Sequence, residues 1–203
     1  MFTAPIVVSG IAPDGHVLAA HTISLEKRYE DPSINAVFKD NILLTLAYMS
    51  NNVKKNEAID WQNVRKANYF EFVLPQGQTF AFHDEILLPY KVKVIKTTNA
   101  HFNLSEGFKS DGYLTGDGVC HLASLLYWVA RDAGLETSAP TNHDFANIPE
   151  VPREYGVSIF AQKGVPGAMQ NLYVTNNRNN SIIFKFDFDG HSLKITTEEK
   201  LKQ

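Results

Sequence analysis

Apolar residues recur at helical spacing after the single cysteine: Leu122, Leu125, Leu126, Val129, Ala130 and Ala133, with Gly134 ending the run. The i, i+3, i+4 pattern predicts a buried helix that starts near Cys120 and stops at Gly134. A second helical pattern follows Asp31-Pro-Ser33, through Ile34, Val37, Phe38, Ile42, Leu46 and Met49, with Ser33 as the expected N-cap. Residues 51–60 are polar and read as a loop, and a short helix is expected near 61–67. Elsewhere the pattern is that of strands: 4–9 and 16–28 around the turn Ala12-Pro-Asp-Gly15, then 69–73, 79–82, and 90–95 with one wet face. Residues 97–118 form a long loop rich in Thr, Asn, Ser, Gly and Asp. Short strands follow at 135–139, 156–161, 171–175, 181–188 and 191–196. The last pair flanks Asp189-Gly190, a type I′ hairpin signal, and Asn176–Asn180 make another tight connection. The reading is α+β: a helical N-terminal part and a central buried helix carrying the cysteine, packed on a mainly antiparallel sheet. With neither repeats nor a linker, residues 1–203 read as one domain.

Composition changes this picture little. Hydrophobic residues make up 44% and charged residues 20%, with a net charge of −3. Scattered basic residues at that charge give no footprint for nucleic acid. No apolar run approaches the roughly 18–20 residues of a membrane span. Met-Phe-Thr-Ala-Pro lacks the basic and apolar regions of a signal peptide. A single cysteine excludes an intramolecular disulfide. His16 and His21 would face opposite sides of a strand, and His83-Asp84-Glu85 reads as a solvated turn, so neither a metal site nor a cofactor is expected.

The chemistry centres on Gly116-Asp-Gly-Val-Cys-His-Leu-Ala-Ser124. A cysteine in the first turn of a helix meets backbone N–H groups and the positive end of the dipole, which favour a thiolate. Such a nucleophile needs a base. His143, on the return path after the helix and a strand, is the candidate. Asn142, Asp144 and Asn147 could orient it, and His101 in the long loop could line the same site. His121 diverges by about 100° from its neighbour on the helix, so its side chain is a poor partner for Cys120. The backbone near Cys120 and His121 is the candidate oxyanion donor. Asp117 could cap the helix, although a carboxylate there would raise the thiol pKa. A buried structural cysteine is the competing reading.

Leu74-Pro-Gln-Gly-Gln-Thr-Phe-Ala-Phe82 resembles the Pro-Gly-Glu-Thr-Phe-Ser-Phe motif of VanW-like proteins. Gly116–Tyr127 resembles their Gly-Gly-Gly-Ile-Cys-Gln-Val-Ser-Ser-Thr-Leu-Tyr motif. Ala133-Gly-Leu-Glu136, His143, Val151-Pro152 and the closing hairpin over 171–195 follow in the family's order, covering roughly residues 65–195. The chain departs from the motifs at Asp117 and His121. It also departs at Gly156, which stands where the family has an aspartate; if that aspartate orients the histidine, this chain either lacks the third member or recruits Glu150 or Glu154. Residues 51–68 look inserted. The resemblance implies an extracytoplasmic, cell-envelope protein with peptidoglycan or another wall polymer as partner. The cysteine segment is also similar to the nucleophile helix of transglutaminase-like enzymes. Together these imply acyl transfer or amide hydrolysis by Cys120 and His143, or else a non-catalytic wall-binding module of the same fold.

Overall fold

The computed structural model describes residues 15–159 and 166–201, so the expected strand at 4–9 lies outside it. The chain begins with strand β1 (Gly15–Ser24), shorter than the expected 16–28. The long helix α1 (Pro32–Met49) follows. Its cap is Asp31 rather than Ser33. The Asp31 carboxylate accepts from the N–H groups of Ser33 at 2.8 Å and Ile34 at 3.2 Å. Ser33 is itself one of the donors being capped, and Pro32 fills the first helical position, where an N–H is not needed. A short helix α2 (Trp61–Val64) is capped the same way by Asp60.

Next come β2 (Asn68–Leu74), β3 (Thr79–Ala81) and β4 (Val94–Lys96). The expected strand over 90–95 is mostly absent. Leu88–Tyr90 forms a 3-10 turn containing Pro89, and Val92 is 90% exposed, so the alternation there marks no buried face. Beyond the long loop lies α3 (Val119–Asp132), ending at Gly134 with φ +71° as the spacing predicts. The remaining strands are β5 (Glu136–Ser138), β6 (Tyr173–Thr175), β7 (Ile182–Phe188) and β8 (Ser192–Lys200).

Among the described residues the strands form two sheets rather than the single mainly antiparallel one expected, within the α+β fold the sequence implies. One is wholly antiparallel in the order β1-β8-β7-β2; the other has the order β4-β3-β6-β5, with β3 and β4 parallel. Inward-facing phenylalanines join them: Phe72 stacks on Phe184 and Phe80 at centroid distances of 5.1 and 5.4 Å. The β7–β8 turn is not type I′, because only Gly190 of the pair has a positive φ. Asp189 instead accepts from the N–H groups of His191 at 2.8 Å and Ser192 at 2.7 Å. Buried Asn176 makes the other tight connection, donating to Leu74 and Asn180 carbonyls at 2.8 and 2.9 Å.

Two features position the start of α3. Asn41 of α1, fully buried, accepts from Lys109 N–H at 2.8 Å and donates to the carbonyls of Lys109 and Asp117 at 3.0 and 2.9 Å. It thus closes the 109–117 segment into a loop held on α1. On the other side, of the expected strand at 156–161 residues 160 and 161 lie outside the described residues, and the rest makes an isolated bridge between Asn142 and Val157. Its second edge meets the helix instead of a strand: Val157 N–H donates to Ser124 Oγ at 2.9 Å, and Ile159 N–H to Cys120 Sγ at 3.5 Å. Residues two apart on an extended segment donate the same way, and residues four apart on a helix share a face, so the two bonds match in register.

Candidate functional site

Cys120 occupies the first turn of α3, just after Gly118, the N-cap residue, whose φ is +93°. A half-buried side chain there reaches a cavity of about 540 Å³. Val119, Phe102 and Ile159 supply apolar lining, and His83, Asp84, Glu85, His101 and Ser105 the polar part. The Ile159 N–H aimed at sulfur and the N-terminal end of the helix both favour a charged sulfur over a neutral one.

The polar rim is organised by His101. Its Nδ1 lies 2.7 Å from Glu106 Oε1 and its Nε2 lies 3.0 Å from Asp84 Oδ2. Buried Glu106 also accepts the His101 backbone N–H at 2.7 Å. Glu106 first, then Asp84, hold the imidazole pKa above its ordinary value, against the opposing effect of burial. His83, deeper in the cavity, is pushed down by burial and has Nε2 2.8 Å from Gln170 O.

His143 is placed elsewhere. It is buried, its Nδ1 lies 3.0 Å from Ala146 O, and its ring packs on Phe145 at 4.0 Å. It lines a separate hollow of about 310 Å³ with residues 146–153. His121 faces that side too, with its ring 6.4 Å from His143 and 5.0 Å from Phe38. Burial, then the Arg28 charge, push His121 down to about 3, so it is neutral at physiological pH. Cys120 and His101 thus line one cavity, while the His121 and His143 rings lie together beside a separate hollow.

The other candidates fall into place around these. Asn142 bridges Val157, Asp144 and Glu154 are exposed, and the His121 N–H closes the first turn onto Gly118 O at 3.0 Å. Glu150 pairs with Arg28 and also accepts Ser24 N–H at 2.9 Å. Gly156 lies against the His143 backbone: a Cβ there would sit 3.1 Å from His143 O. Among the described residues no cluster of three or more His, Cys, Asp or Glu could hold a metal.

The family model described as VanW like protein matches residues 62–197. The chain belongs to the VanW-like family. That family is cell-envelope-related, and among the described residues no helix is long and apolar enough to cross a membrane. No curated protein and no solved structure matches the chain. The VanW-like match begins at α2, yet β1 and α1 before it pack into the same fold: β1 pairs with β8, and α1 carries Asn41, which holds the 109–117 loop.

In this VanW-like chain Asp117 replaces a motif glycine, and it does not cap α3, since Gly118 holds the cap position without a side-chain bond. Its carboxylate accepts Asp111 N–H at 3.2 Å. Burial, with the Asp111 charge adding to it, raises its pKa to about 6. A carboxyl raised from 3.8 to about 6 on folding holds its proton better in the native state, so stability falls as pH rises through that window. Asp117→Asn is therefore expected to gain about 1 kcal/mol over the parent at pH 8 relative to pH 4, a figure discounted for a half-exposed group. Urea unfolding at the two pH values checks this. The His101 contribution, also lost on raising pH, is common to both proteins and cancels.

Sequence reasoning missed Asn41, Ser124 and the Asp84–His101–Glu106 bridge. A polar residue on an apolar helix face was the available signal for Asn41. Nothing local marks Asp84 as a neighbour of His101.

Proposed function

We propose that this domain performs thiol-dependent acyl transfer or amide hydrolysis on peptides of a cell-wall polymer such as peptidoglycan, with Cys120 as nucleophile. The observation that supports this is the Cys120 sulfur at the head of α3, open to a cavity and facing the Ile159 N–H at 3.5 Å. The thiol would give its proton to the base and attack an amide carbonyl, forming a thioester as the C–N bond breaks and the amine leaves with the proton returned by the imidazolium. Water or a second amine would then attack the thioester and return the thiolate. Similarity to the nucleophile helix of transglutaminase-like enzymes fits this chemistry. In this reading His143 is the base: with Nδ1 donating to Ala146 O, its Nε2 is the nitrogen that would take the thiol proton.

A second reading, wall-polymer binding without catalysis, is favoured by one observation: Cys120 and Ser124 together receive the edge of the 157–159 segment, a structural use for both. Iodoacetamide alkylation of Cys120 across pH 5–10, in the parent and in His143→Ala, separates them. A thiol pKa well below the ordinary ~8.5 supports the nucleophile, and its loss in His143→Ala assigns the base. An ordinary or raised pKa, with Cys120→Ala retaining affinity for peptidoglycan fragments, replaces catalysis with binding.

A further inference from the structure

His101 ties the two exposed rims of the Cys120 cavity to each other. Asp84 belongs to the turn after β3, and Glu106 to the 3-10 turn Leu104–Glu106 of the long loop. Residues on both turns line the cavity: His83, Asp84 and Glu85 on one, His101 to Ser105 on the other. A neutral imidazole carries one N–H and one bare nitrogen. Both His101 nitrogens face carboxylate oxygens, which only accept, so both contacts hold together only in the imidazolium. We propose that His101 is a proton-operated latch on this cavity, fastening the Asp84 turn to the 101–106 turn when protonated and releasing it when one proton leaves. This deepens the preceding reading by naming how access to that site is regulated.

The direction of release follows from the two partners. Glu106 is buried, lies at 2.7 Å and is bonded a second time by the His101 backbone, so the remaining proton stays on Nδ1. Asp84 is exposed, lies at 3.0 Å and would then face a lone pair. Besides Cys120, the other titratable groups lining the cavity with His101 are His83 and Glu85. His83 is held on Gln170 O, with its pKa pushed down by burial, and Glu85 lies against Gly167. Neither offers Asp84 a replacement donor. Glu106 first, and Asp84 with it, raise the His101 pKa, so the release lies above the ordinary histidine value.

Hydrogen–deuterium exchange over residues 83–90, normalised for intrinsic rate from pH 5.5 to 8.5, tests the latch without using Cys120 reactivity. The parent should lose about two- to fivefold protection as His101 deprotonates, the size of one half-exposed ion pair. Asp84→Asn supplies an amide donor that the bare Nε2 can accept, so its protection should stay flat across the same range. Protection in the parent that does not change with pH, or an identical fall in Asp84→Asn, overturns the latch. Failure of Cys120 as a nucleophile would leave the exchange result standing.

Discussion

Replacing Gly118 with alanine is expected to destabilise the protein by about 3–5 kcal/mol, a large share of a typical domain's stability. Two costs combine. At φ +93° any Cβ is strained, worth about 1–2 kcal/mol. The new Cβ would also lie 2.6 Å from Phe38 O and 2.9 Å from Phe38 Cα, which are backbone of α1 and cannot swing aside. The helices must separate, disturbing the Asn41 bonds and the cavity wall at Val119. Gly134→Ala is the internal control. It has φ +71° but nothing within 4 Å of its Cβ, so only the dihedral cost of about 1 kcal/mol applies. Urea unfolding of both variants measures the difference. Equal losses would mean that the close approach of α1 and α3 is not what demands glycine at 118.

That contact explains what the sequence could and could not reveal. The α3 helix, its cysteine and its Gly134 stop were legible because apolar spacing and a terminal glycine are local signals. The family motif marked glycines before the cysteine, but not that Gly118 serves the packing of α1. The strand at 90–95 misled because its alternation of Lys and Val imitates a wet-faced strand while Val92 points into solvent. The pairing of Cys120 with His143 followed chain order, helix then strand then histidine. Which histidine lines the Cys120 cavity is set by which loop lies over the helix start. There the long 97–118 loop, pinned by Asn41, brings His101 to the Cys120 cavity. His143 is drawn to Ala146 O and the His121 side. Contacts between loops carry no periodicity, so no window of sequence encodes them.

Arg28→Met is expected to cost about 3 kcal/mol, or about 6–12 °C in Tm for a chain of this size. The guanidinium is fully buried. It donates to Ser24 O at 2.7 Å and Pro149 O at 3.0 Å, and pairs with Glu150 Oε2. Burial pulls its pKa down and Glu150 restores part of it, so the charge is tolerated because it is satisfied. Methionine keeps the apolar stem but removes the donors to the Ser24 and Pro149 carbonyls. Glu150, at φ +65°, also loses the partner that secures its strained backbone. Because Glu150 is partly exposed, its carboxylate can turn to water, which keeps the loss at the lower end of the range for broken buried pairs. Arg28→Met combined with Glu150→Gln should therefore lose nearly the same stability as Arg28→Met alone, with the carbonyls accounting for most of it. Full recovery in the double variant would shift the weight to the ion pair. Hydrogen exchange should rise first over residues 146–153, the wall of the His143 hollow. It should leave the 101–106 turn unchanged, since the Asp84–His101–Glu106 bridge shares no partner with Arg28.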